Sequence, residues 1–185
     1  GKEAIMFLVI GAFLGQYGNI LVGLFQQYLN PEVYQETQSL ISEGKSIWSL
    51  IFWMGIVAPF AEEVVFRWLV FLRMRDNLRL ITAALLSGLA FGIYHMNLMQ
   101  GVYATIMGII FALILEWRGN LLASILLHMG ANIWSLLYPY LISLALKKEF
   151  FGGMVMLLVL GFLMVMISGT RYFRKRAEGM KNRVI

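Results

Sequence analysis

Along this chain, long stretches without a formal charge alternate with short charged ones, and the uncharged stretches have membrane dimensions. Ala4–Asn30 covers 27 residues, Leu80–Leu115 covers 36, Gly119–Leu146 covers 28 and Phe150–Thr170 covers 21. A helix crosses the hydrocarbon core of a bilayer in about 20 residues. As one helix the longest run would reach roughly 54 Å at about 1.5 Å per residue. It should therefore fold back near Asn97-Leu98-Met99-Gln100-Gly101, the polar, Gly-containing break at its middle. A further span starts at Ser46 and runs to about Leu72, interrupted by Glu62, Glu63 and Arg67. The pattern thus predicts helices over 4–29, 46–72, 79–96, 100–115, 120–145 and 150–170. Pro139 should kink or end the fifth, leaving 140–146 as a separate turn or cap. Alternating strand patterns are absent, which argues against a β-barrel. The expected fold is all-α: a polytopic helical membrane protein of about six spans around a polar cavity. With no internal repeat or low-complexity linker, residues 1–185 read as a single membrane domain.

Composition agrees with that reading. Of 185 residues, 60% are hydrophobic and 14% charged, where a soluble domain averages about 45–50% and about a quarter. So short a chain cannot hide the excess in a larger core. The lack of cysteine excludes a disulfide scaffold, a zinc finger and a thiol nucleophile. The net charge of +5 points to a membrane surface, not to nucleic acid, because of where the cations lie. With both termini cytoplasmic, the inner side holds Lys2, Arg73, Arg75, Arg79 and Arg118. It also holds Arg171, Arg174, Lys175, Arg176, Lys181 and Arg183 of a basic tail over 171–185. The outer side keeps only Lys45, Lys147 and Lys148, in accord with the positive-inside rule. A tail directly after a span is expected to lie on anionic lipid. The expected location is a bacterial plasma membrane. Gly1 is not an initiator residue, so the chain is expected to be truncated or processed, with room for further helices before it.

Glu62, Glu63 and Arg67 interrupt the second span. Each unpaired charge near a span centre costs about 2.5–3.5 kcal/mol, so these groups must pair, face a wet cavity, or both. Glu63 and Arg67 stand at i,i+4 with the acid first, the favourable orientation for an ion pair along one helix. Glu62 lies about 100° around the helix and needs another partner or a water. Both histidines of the chain also lie in spans: His95 in Phe91-Gly-Ile-Tyr-His95, and His128 in His128-Met-Gly-Ala-Asn132. At i,i+4, His128 and Asn132 share a helix face. Two Glu, one Arg, two His and one Asn at membrane depth have the parts of a hydrolase. A carboxylate walled by apolar surface makes a competent base, and His95 can share its water. His128 and Asn132 offer donors for a developing oxyanion. Glu63–Arg67 serves either as support for the site or as a helix staple, and Phe91 packs against His95. Other protease chemistries fail by absence: there is no His-Glu-x-x-His, no Gly-x-Ser-x-Gly, and the only Asp is Asp76 in a loop.

Glu62-Glu63-Val-Val-Phe-Arg67, then Phe91-x-x-x-His95, then His128-x-x-x-Asn132, all within about 47–135, resemble the three ordered motifs of the CPBP family. These are the CAAX-protease and bacteriocin-processing, or Abi, proteins. The resemblance implies an intramembrane glutamic endopeptidase in which Glu62 and His95 activate water, and His128 with Asn132 forms the oxyanion site. Glu63 and Arg67 fill the remaining motif positions. The set Glu62, His95 and His128 could also hold zinc; catalysis without metal or cofactor is the expectation. The implied partners are a membrane-associated peptide or protein substrate and the bilayer itself. The competing reading is a non-catalytic membrane scaffold or immunity protein that binds a partner through the same cavity. A proton-coupled transporter is a third, disfavoured by the absence of repeat symmetry.

Overall fold

The computed structural model describes residues 1–26, 32, 39, 43–147, 159–161, 163 and 167. These residues hold five helices: α1 (Lys2–Gln26), α2 (Ile47–Arg75), α3 (Leu80–Tyr94), α4 (Leu98–Arg118) and α5 (Leu121–Lys147). No strand occurs among the described residues. The chain is an all-α polytopic membrane protein. Lys2–Val22, Ile47–Arg75, Leu98–Arg118 and Leu121–Pro139 are long and apolar enough to cross a bilayer. α3 has only 15 residues, about 22 Å of helix, and is shorter than the span expected over 79–96. Of the helix expected over 150–170, only residues 159–161, 163 and 167 are described, and they are helical. The basic tail lies outside the described residues.

Two compact units divide the chain, Gly1–Tyr138 and Pro139–Ile185. The first contains α1 to α4 and the part of α5 that carries His128 and Asn132. α5 itself continues through Pro139 to Lys147, so the helix does not end there and 140–146 is not a separate element. Inside membranes a proline is tolerated where hydroxyl side chains and small local adjustments re-satisfy the freed backbone groups. Pro139 removes the α-helical donor of the Ser135 carbonyl; the Ser135 hydroxyl bonds a different acceptor, the Ala131 carbonyl, at 2.9 Å.

α2 is inside out by the standards of a soluble protein. Trp48, Phe52, Trp53, Phe60 and Trp68 are exposed on it, whereas Glu63 and Arg67 are fully buried. This is the arrangement that a lipid surround rewards, because apolar side chains lose nothing there and charges lose their solvent. The helix also changes its winding twice. Ile51–Val57 and Val64–Phe71 are π-helical, and the short α-helical turn Ala58–Glu63 between them carries both glutamates.

Small residues bring the other helices into backbone contact. Gly11 and Gly15 of α1 face Leu127 and Ala131 of α5, and a Cβ on Gly11 would stand 1.9 Å from the Leu127 carbonyl oxygen. That is the small-xxx-small packing by which membrane helices approach closely. α3 folds back on α4 through the turn His95–Asn97. Asn97 caps α4 by accepting from the Gln100 N–H at 3.2 Å, so the reversal falls where the polar break was expected. Met96 in that turn has a left-handed φ of 53°. Charged pairs gather at the start of α1 and the ends of α2 and α4: Arg118 with Glu3, and Arg75 with both oxygens of Glu116 at 2.9 and 3.2 Å.

Candidate functional site

The site lies in an apolar cluster that includes Phe66, Phe91, Met107, Phe111 and Leu127. Among these side chains the two glutamates of α2 have different surroundings. Glu63 has no exposure and three partners. Its Oε2 pairs with Arg67 Nε at 3.2 Å and accepts a hydrogen bond from Ser124 Oγ; its Oε1 stands 3.0 Å from His128 Nδ1. Glu62 keeps 17% of its side chain accessible, and its nearest charged contact is looser, Oε2 to His128 Nε2 at 3.5 Å. That separation exceeds an ordinary N–H···O hydrogen bond of about 2.7–3.2 Å. Glu62 is therefore open to a water or substrate proton, whereas Glu63, with no exposure, is sealed from both.

His128 is the hub of this arrangement. It is 4% exposed and turns one ring nitrogen to each glutamate. Its ring stacks on Phe111 at 4.6 Å and meets the edge of Phe91 at 5.6 Å, so packing fixes its plane.

Arg67 has no exposure and lies between aromatic faces, its guanidinium carbon 4.5 Å from the Phe91 centroid and 5.2 Å from that of Phe111. Neither terminal nitrogen has a hydrogen-bond partner among the described residues. The aromatic sandwich and the Glu63 pair offset part of that deficit. Gly108 leaves the room: a Cβ there would stand 3.1 Å from Arg67 Nη2.

His95 ends α3 and is half-buried. Its Nδ1 lies 2.8 Å from the Phe91 carbonyl. A carbonyl can only accept, so Nδ1 carries the proton and Nε2 is left open for proton exchange. Phe91 packs edge-on to both imidazoles, 4.8 Å from that of His95. Asn132 sits one turn beyond His128 and donates from Nδ2 to the Met54 carbonyl of α2 at 2.9 Å.

Among the described residues, no group of three or more His, Cys, Asp or Glu side chains is arranged to hold a metal ion. His128, which would be central to such a set, directs both nitrogens at carboxylates instead.

Ser124 and Phe111 belong to the site but did not stand out in the sequence. Ser124 had a readable signal, since Ser124-x-x-x-His128-x-x-x-Asn132 places all three at i,i+4 along one face of α5. Phe111 had none, because a Phe in an apolar span is indistinguishable from its lipid-facing neighbours.

The family model described as Type II CAAX prenyl endopeptidase Rce1-like matches residues 44–134. The chain is 30% identical over 135 residues to "Membrane-embedded CAAX protease MroQ" of Staphylococcus aureus (strain USA300), an alignment covering 70% of this chain and 55% of that protein. It is 24% identical over 131 residues to "Putative membrane peptidase YdiL" of Bacillus subtilis (strain 168), covering 70% of this chain and 54% of that protein. The chain thus spans about half the length of the curated relatives it matches. No solved structure gives a significant match. The matched segment carries all three motifs, with Glu62, Glu63 and His128 drawn to one point inside the helices, and the family model and both relatives support assignment of the chain to the CPBP family of membrane proteases.

Proposed function

We propose that this chain is an intramembrane glutamic endopeptidase, hydrolysing a peptide bond in a membrane-associated peptide or protein. The observation that carries the reading is the inequality of the two glutamates: Glu63 is sealed and fully engaged, while Glu62 is accessible and loosely held. A general base must reach the proton it removes, directly or through one water. Glu62 meets that requirement.

In this reading Glu62 takes a proton from water, and His95 Nε2 shares the same water. The resulting oxygen bonds to the scissile carbonyl carbon, whose own oxygen takes up the negative charge. His128, one turn from Asn132 on α5, turns its Nε2, held only loosely by Glu62 at 3.5 Å, to donate to that oxygen together with the second hydrogen of the Asn132 amide. The proton held by Glu62 then passes to the departing amine as the C–N bond breaks. Ser124, Glu63 and Arg67 never touch substrate and hold His128 in place. No step passes through a metal.

The substrate enters from the bilayer or its surface, and prenylation is not required by any residue of the site. The basic tail on anionic lipid, cytoplasmic termini and a plasma-membrane location complete the proposal and follow from the distribution of Lys and Arg.

Purified chain and a Glu62→Gln variant, each incubated with a library of membrane-derived peptides with and without chelator, test the proposal. Cleavage by the native chain, lost in the variant and indifferent to chelator, is expected. Unchanged cleavage by the variant sinks the assignment of the base. Loss on chelation, restored by zinc, sinks the metal-free route. Absence of cleavage by the native chain transfers the reading to a scaffold that binds through the same cavity.

A further inference from the structure

Pro59 lies one turn before the glutamates, at the start of the α-helical turn Ala58–Glu63. Its effect falls on Met54. The segment Ile51–Val57 is π-helical, and the Ala58 N–H bonds to the Trp53 carbonyl, five residues back. The next step of the same winding would bring residue 59 to the Met54 carbonyl, but proline has no N–H to give. Ala58, the donor that α-helical winding would supply, is already taken by Trp53. The Met54 carbonyl is thereby left without a backbone donor inside the span, where unpaired carbonyls are costly. Asn132 Nδ2 fills the vacancy at 2.9 Å from the facing helix.

We infer that Pro59 is a positioning residue for the oxyanion site: by withholding its N–H it leaves the Met54 carbonyl free to hold and orient the Asn132 amide. An amide nitrogen carries two hydrogens. With one fixed on Met54, the direction of the other is set, and it is this second hydrogen that the proposed mechanism uses. The same bond ties α5 to α2 just ahead of Glu62 and Glu63, so the register of the glutamates against His128 depends on it. The catalytic part of the inference rests on the endopeptidase reading; the coupling of Pro59 to Asn132 does not.

The experiment is a double-mutant cycle on the full chain in detergent micelles with Pro59→Ala, Asn132→Ala and the pair, read by thermal unfolding and by peptide cleavage. An alanine at position 59 supplies an N–H in line with the Met54 carbonyl. Asn132→Ala should therefore lower the unfolding midpoint clearly in the native background and less than half as much in the Pro59→Ala background. Pro59→Ala should lower kcat by about ten- to a hundred-fold with KM little changed, because the oxyanion donor loses its anchor while the substrate contacts stay. Equal midpoint shifts from Asn132→Ala in both backgrounds, or an unchanged kcat in Pro59→Ala, overturn the inference. Asn132→Asp, which keeps the shape and removes the donor, repeats the cycle if Asn132→Ala does not fold. If the native chain cleaves nothing, the endopeptidase reading fails while the unfolding cycle still decides whether Pro59 and Asn132 are coupled.

Discussion

Replacing Glu62 and Glu63 separately by Gln should split stability from activity. Glu63→Gln preserves shape but removes the charge that pairs with Arg67 Nε at 3.2 Å. Arg67 would then be a fully buried cation whose remaining close neighbours are the faces of Phe91 and Phe111. Removing one partner of a buried pair destabilises by about 3–5 kcal/mol. The aromatic contacts return only about 1–2 kcal/mol, and they are present before and after the change. At about 2–4 °C per kcal/mol for a chain of this size, the unfolding midpoint should fall by roughly 10 °C. Glu62→Gln removes a partly accessible charge with one contact at 3.5 Å, so its effect on stability should stay within about 1 kcal/mol. Its effect on cleavage should nevertheless be the larger, since no other described carboxylate of the site is free to serve as base. Circular dichroism melts in a single detergent, paired with a fluorogenic peptide assay, give both numbers. A midpoint for Glu62→Gln as low as that for Glu63→Gln would refute the division of roles, as would full stability of Glu63→Gln.

Three further changes probe the surroundings. Ser124→Ala leaves Glu63 Oε2 without its hydroxyl donor and should destabilise by about 1–3 kcal/mol; a melt indistinguishable from native contradicts the contact. Gly11→Val forces a side chain into the Leu127 carbonyl, 1.9 Å from the first carbon. It should destabilise by about 1–3 kcal/mol or more and open the α1–α5 contact to limited proteolysis. At Met96, which is 90% exposed with φ 53°, Met96→Ile should destabilise by about 1–2 kcal/mol because a β-branched residue resists the left-handed region. Met96→Gly should not, and equal effects of the two in unfolding melts would show that the side chain, not the backbone, matters there.

Legibility in the sequence followed the length scale of the signal. Uncharged runs longer than 20 residues revealed the membrane class, and Asn97, with a polar side chain ready to cap α4, marked the reversal. The i,i+4 spacings of Glu63 with Arg67 and of His128 with Asn132 were readable because one helix carries each pair. Contacts between helices were not. Nothing local says that His128 will face both glutamates, or that Ser124 will lie over Glu63 sixty-one residues away. Winding was equally hidden: the π segments of α2 depend on which N–H reaches which carbonyl, and Pro59 reads as a helix breaker until Asn132 is seen across from it. Pro139 misled in the same way, since a proline does not by itself end a helix and α5 runs through it to Lys147.

The placement of the Glu63–Arg67 pair within one helix has a consequence for biogenesis. Both members leave the ribosome together and lie one turn apart, so they can enter the bilayer as a neutral dipole before α4 or α5 exists. Glu62 has no such companion. Its contact, His128, is synthesised 66 residues later by the numbering. Until α5 inserts, Glu62 must keep water beside it or hold α2 near the translocon. Ordering of α2 is thereby linked to arrival of the helix that completes the site, and the reactive carboxylate is the last part of α2 to become comfortable in lipid.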